Sequence, residues 1–131
     1  MSETSNSAAD DGREPMVRTV AMPADANANG DIFGGWVLSQ MDIAGGVAAG
    51  RVARGRTTTV AVEAMTFHKP IEIGDLVSVY AEVTRVGRSS IAVHVDTIVT
   101  RRDSAELVKV TEGTFVFVAI DDAGRPRPVP R

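Results

Sequence analysis

The chain has 131 residues, no cysteine, two histidines and a formal net charge of -3 at pH 7. That length suits one domain with a buried core and is short for two. The composition excludes a disulfide framework, a thiol nucleophile and a cysteine metal site, leaves too few histidines for a typical histidine-rich metal cluster, and argues against a strong electrostatic grip on nucleic acid.

Residues 1–15, MSETSNSAADDGREP, are polar and partly acidic. They have neither the basic start nor the apolar centre of a signal peptide, and predict a disordered arm ahead of a single domain over residues 16–131. No later run reaches the roughly 18 apolar residues of a membrane span, so no membrane partner is expected. The absence of cysteine fits a cytoplasmic location.

Val17 to Met22 is β-branched, stops at Pro23 and predicts a short strand. PADANANGDIFGG follows, a long loop dense in Pro, Asn, Asp and Gly. A loop of that length in a small domain is usually functional or disordered. From Gly35 to about Ala53 the pattern is helical, with Val37, Met41, Ala44, Ala48 and Val52 in one stripe. Gly45, Gly46 and Gly50 each weaken a helix by about 1 kcal/mol relative to Ala. Their presence predicts a helix lying very close to another surface. Four long strands follow, TTTVAVEAMTFHK, LVSVYAEVTRV, IAVHVDTIVTRR and ELVKVTEGTFVFVAI, joined by turns at PIEIGD and GRSS. The tail RPRPVPR is not expected to continue a sheet, because its prolines lack donors.

One short strand, one long helix and four long strands predict an α+β fold in which an antiparallel sheet wraps around the helix. The sheet's other face and its edges then need cover, which predicts self-association.

Asp42 is the only ionisable side chain between Asp31 and Arg51. Its helical neighbours Leu38, Gly45, Gly46 and Ala49 offer no charge partner. Such a carboxylate is either on a solvated side of the helix or partly buried for a chemical purpose. Gly34 and Gly35 stand where loop becomes helix. Amides there have no helical partner and can hold a carbonyl oxygen that becomes negative, although a tight turn would also explain them. Gly87, Arg88, Ser89 and Ser90 form a hairpin whose guanidinium and hydroxyls suit phosphate, or form an ordinary solvated turn.

AMPADANANGDIFGGWVLSQMD, TVAVEAMTFHKPIEIGD and VGRSS together resemble the YciA-like branch of the hotdog-fold acyl-CoA thioesterases. The ordered series Asn27, Gly30, Phe33, Gly34, Gly35, Gln40, Asp42 carries most of the likeness, which extends from about Val17 to Pro130. The resemblance implies the hotdog fold and hydrolysis of acyl-CoA to free acid and coenzyme A, the latter being part of the substrate and not a cofactor. It implies homodimers with active sites at the subunit interface, often assembled as a trimer of dimers.

By the same resemblance Asp42 is the catalytic carboxylate, as general base or as nucleophile. Asn27, or less well Asn29, positions water or thioester across the interface from the Asp42 of the other subunit. Gly87 to Ser90 meets the nucleotide end of coenzyme A, with Arg101, Arg102, Arg125 and Arg127 as further candidate phosphate contacts. Phe33 stands where several hotdog branches carry His. Glu63 is a second carboxylate, expected on the surface or in an interface pair, and His68 and His94 are expected as strand residues with satisfied rings. Trp36, Leu38, Gly45 and Gly46 are candidates to shape an acyl channel. Rival readings are a non-enzymatic acyl-CoA binding module and a hotdog hydratase or dehydratase.

Overall fold

The computed structural model describes residues 13–131, so most of the expected N-terminal arm lies outside the described residues. The elements run β1 (Val17–Val20), a 3-10 turn (Pro23–Asp25), α1 (Gly34–Ala53), β2 (Thr57–Phe67), β3 (Leu76–Val86), β4 (Ser90–Thr100) and β5 (Leu107–Ala119). Every strand pairing is antiparallel, in the order β1-β3-β4-β5-β2. The single helix touches all five strands. This is the α+β hotdog arrangement the sequence predicts.

α1 buries Val37, Met41, Ala44, Gly45, Ala49 and Ala53. They meet Val77, Val79, Val93, Val95, Phe115 and Phe117 of the sheet. The second half of the stripe is therefore one residue later than expected: Ala49 and Ala53 replace Ala48 and Val52, which are only partly buried. A 3.6-residue period tolerates either choice, and the smaller side chains let the helix sit nearer the sheet. Close approach is real at Gly45, where a Cβ would lie 3.0 Å from the Phe117 ring and 3.4 Å from Val95. At Gly46 the same contact is an ordinary 3.8 Å, so Gly46 is not required by it.

Alternation puts Tyr80 and Asp96 on the sheet face turned away from α1. Arg13, at the end of the expected arm, lies over that face: Nη1 is 3.3 Å from Asp96 Oδ1, and the guanidinium is 4.5 Å from the Tyr80 ring centre.

The tail forms no strand, as expected, yet it is tied to the domain by hydrogen bonds. Asp121 N–H donates to Arg125 O, Arg127 N–H to Ala119 O and Val129 N–H to Arg88 O, and Val129 is buried in the core. Pro126, Pro128 and Pro130 alternate with these residues. The missing donors therefore fall on one side of the chain only, and the other side stays free to bond. The tail docks without forming a regular strand.

β1 and β2 are the sheet edges. β1 has four residues; β2 has eleven and carries Val60, Val62 and Phe67 at 55, 46 and 52% exposure. A long apolar edge of this kind normally pairs with something. Among the described residues, no helix is long and apolar enough to cross a membrane.

Candidate active site

Asp42 points from the middle of α1 toward β2. Thr59 Oγ1 donates to Asp42 Oδ1 at 2.6 Å. Asp42 Oδ2 has no partner among the described residues. Both side chains line an open groove of about 300 Å³ with Leu38, Ser39, Val62 and Phe115, whose walls are mainly apolar. Thr59 and Val62 are an odd number of residues apart, so a regular strand would send them to opposite faces. The register shift between Thr59 and Ala61 puts Thr59 opposite Phe117 and Val62 opposite Phe115, both on the helix face. A β-bulge at Val60 thus builds the wall of the groove. Leu38 lines the groove as the sequence suggested, whereas Gly45 is covered by Phe117 and does not.

Asn27 begins the loop before α1. Its Oδ1 accepts from the amides of Asn29 (2.9 Å) and Asp31 (3.2 Å), and its own N–H donates to Asp31 O at 2.7 Å. The side-chain oxygen is thus spent on the turn, and Nδ2 is the group left to act elsewhere. Gly34 and Gly35 open the helix, and Phe33 at the cap position offers no side-chain bond to them. Their amides have no backbone acceptor among the described residues. A Cβ at Gly35 would meet nothing within 4 Å, and one at Gly34 would make only ordinary contact with Phe67. Neither glycine is demanded by packing within one chain.

Gly34 and Gly35 lie seven to eight residues before Asp42 on the same helix. At about 1.5 Å per residue the separation is roughly 10–12 Å along the axis. One reacting carbonyl cannot lie about 3 Å from both the amides and the carboxylate of the same chain. Asn27 is likewise absent from the groove lining. Within one chain, Asp42 with Thr59 and the loop from Asn27 to Gly35 are therefore two separate groups.

Gly87 to Ser90 forms the tight turn between β3 and β4, closed by Gly87 N–H donating to Ser90 O at 2.8 Å. Arg88 is exposed, with no side-chain partner among the described residues. The other arginines divide. Arg101 is bound to Asp75 at 2.6 Å and lies 3.7 Å from Glu72. Arg127 donates to Ala53 O and Ile120 O, capping the end of α1. These two serve the fold, against the expectation of phosphate contacts. Arg102 is exposed beside Asp103, and Arg125 is exposed.

Glu63 is exposed on β2, and the register shift after it puts Glu63 and Phe67 on opposite faces of the strand. His68 Nε2 is 2.8 Å from Glu112 Oε2, and His94 Nε2 is 3.6 Å from Oε1. Lys109 Nζ is 3.1 Å from the same carboxylate. The His68 hydrogen bond, with Lys109 next, holds the Glu112 carboxyl below its ordinary range. Neither histidine lines the Asp42 groove. Among the described residues, no group of three or more His, Cys, Asp or Glu is placed to hold a metal.

Thr59 is the functional candidate that the sequence did not reveal. It is one of three consecutive threonines, and only the bulge decides which of them reaches Asp42.

Residues 29–104 match the family model described as thioesterase superfamily. The chain is 51% identical over 119 residues to an uncharacterized acyl-CoA thioester hydrolase of Haemophilus influenzae, covering 88% of this chain and 77% of that one. It is 47% identical over 118 residues to the acyl-CoA thioester hydrolase YciA of Escherichia coli, covering 88% and 89%. The fold superposes on a hexameric thioesterase from Yersinia pestis with a TM-score of 0.87 at 49% identity, covering 92% and 98%.

Proposed function

The chain belongs to the thioesterase superfamily, and from that premise we propose that it hydrolyses acyl-CoA thioesters to a free carboxylic acid and coenzyme A. The observation that carries the reading is Asp42: a lone carboxylate in an apolar groove, with one oxygen held by Thr59 and the other without a partner among the described residues. A carboxylate so placed serves as general base. It takes a proton from water while the water oxygen attacks the thioester carbonyl carbon. The carbonyl oxygen becomes an oxyanion, and collapse expels the coenzyme A thiolate, which is then protonated.

The amides of Gly34 and Gly35 suit the oxyanion, being unpaired donors at a helix start. The helical separation supports reading them, with Asn27 Nδ2, as part of the Asp42 site of a second copy. The free edge of β2 is where that copy docks, since Val60, Val62 and Phe67 need cover and Thr59 is on the same strand. A twofold pairing of this kind forms both sites at once. The close relative from Yersinia pestis is hexameric, and three such dimers make the assembly proposed here. We place the enzyme in the cytoplasm.

Hydratase chemistry is disfavoured because no histidine lines the groove. Thiol release from a panel of acyl-CoA esters tests the reading. Catalytic release supports it; tight binding without release leaves a binding module. A single turnover in 18O-labelled water then separates the two roles of Asp42. Label passing directly into the acid supports a general base, and label entering the Asp42 carboxylate identifies a nucleophile.

A further inference from the structure

The hairpin from Gly87 to Ser90 has all four of its carbonyl oxygens occupied. Gly87 O accepts from Arg131 Nη2 at 2.9 Å. Arg88 O accepts from Val129 N–H, Ser89 O from Ala119 N–H and Ser90 O from Gly87 N–H, each at 2.8 Å. The groups left over are donors: the exposed Arg88 guanidinium, the Ser89 hydroxyl, and the amides of Arg88 and Ser89, which have no backbone acceptor among the described residues. Carbonyl oxygens repel a phosphate and donors attract it. Turning every acceptor inward therefore makes this hairpin suited to an anion.

Two of the four quenching donors come from the tail, and the tail is firmly placed. Arg127 donates from Nη2 to Ala53 O at 2.9 Å and from Nε to Ile120 O at 3.0 Å. Its guanidinium crosses so close to Gly55 that a Cβ there would lie 2.7 Å from Nη2. Val129 is 4% exposed within the core cluster. The tail is thus fixed to the end of α1 and to the core, and it delivers the exposed Arg131 guanidinium to the hairpin that bears Arg88.

We propose that the segment Arg125 to Arg131 is part of the binding site for the phosphorylated nucleotide end of the substrate. Val129 and Arg131 hold the hairpin's carbonyls away from the ligand, and Arg131 adds a second cation beside Arg88. The proposal rests on the reading of this chain as an acyl-CoA hydrolase whose VGRSS segment meets the nucleotide. It extends that reading to a segment that composition alone marks as a proline-rich end.

The test compares acyl-CoA with the same acyl group on pantetheine, which lacks the nucleotide, and uses adenosine 3′,5′-bisphosphate as a competitive probe. Arg131→Ala is expected to raise KM for acyl-CoA, and the bisphosphate inhibition constant, about three- to tenfold, as for loss of one charge-assisted contact at a surface. kcat is expected to stay within about twofold, because such a contact binds ground and transition state alike. KM for acyl-pantetheine is expected to move less than about twofold. Arg131→Lys is expected to recover part of the loss. Equal damage to both substrates would make Arg131 a purely structural residue and overturn the proposal. So would an unchanged acyl-CoA KM in Arg131→Ala alongside a raised one in Arg88→Ala, which would leave the hairpin reading intact. A wild-type enzyme that treats the two substrates alike and ignores the bisphosphate would overturn both.

Discussion

Replacing Thr59 with Val removes one hydroxyl from the groove and little else. Val matches Thr in shape and in preference for strands, and Thr59 is exposed in the single chain, so the fold should be stable to the change. What is lost is the 2.6 Å bond to Asp42 Oδ1. A hydrogen bond to a charged group contributes roughly 1.5–3 kcal/mol. If that bond holds the carboxylate in line with its water throughout the reaction, losing it raises the barrier by a similar amount. At about 1.4 kcal/mol per factor of ten, kcat should fall roughly ten- to a hundredfold. KM should change little, since the hydroxyl addresses the carboxylate and not the coenzyme. Thr59→Ser keeps the O–H and should retain most of the activity. The assay is steady-state thiol release at saturating acyl-CoA, with folding and oligomeric state checked for each variant. A Thr59→Val enzyme within about threefold of wild type would refute the positioning role. A Thr59→Ser enzyme as slow as Thr59→Val would show that the methyl group, and not the hydroxyl, is what matters.

Mixing Asn27→Ala chains with Asp42→Ala chains, each inactive alone, should restore activity, because a mixed dimer keeps one intact composite site; demonstrated mixed dimers that stay inactive would remove the cross-subunit assignment. Gly45→Ala should lower the melting temperature relative to Gly46→Ala: the first pushes a Cβ to 3.0 Å from Phe117 and the second meets only a 3.8 Å contact, while both gain about 1 kcal/mol of helix propensity against an overpacking penalty of about 1–3 kcal/mol at Gly45. Equal melting temperatures would show that the helix does not sit as close to the sheet as described. The lowered Glu112 pKa means that its partners stabilise the fold fully above the ordinary value of 4.5 and lose that contribution as pH falls through the lower folded value. Glu112→Gln should therefore flatten the decline of melting temperature with acid below about pH 4.5, and an unchanged acid slope would count against the His68–Glu112–Lys109 cluster.

Much of this fold was legible because its signals are long. A twenty-residue helix and four strands of eleven residues or more carry enough alternation and spacing to be read without help from packing. Asp42 was legible for the opposite reason, standing alone among apolar and small residues. Thr59 was not, because the threonines at 57, 58 and 59 are equivalent until the Val60 bulge fixes which face each occupies. Arg101 and Arg127 looked like phosphate ligands, because a sequence shows a charge but not the Asp75 carboxylate or the Ala53 carbonyl that occupies it. The tail's lack of a strand was legible from its prolines, whereas its docking by alternate residues was not. The alternation of Pro126, Pro128 and Pro130 with donating residues leaves one edge able to bond.

The central claim is that Asp42 activates water for thioester hydrolysis. Its most direct test is kcat for thiol release by Asp42→Ala, measured at saturating acyl-CoA on protein shown to be folded and assembled like wild type. The expected result is a fall of at least about a hundredfold, the scale of a positioned general base, with acyl-CoA binding preserved. A folded, assembled Asp42→Ala protein that turns over acyl-CoA at a near-normal rate would contradict the claim.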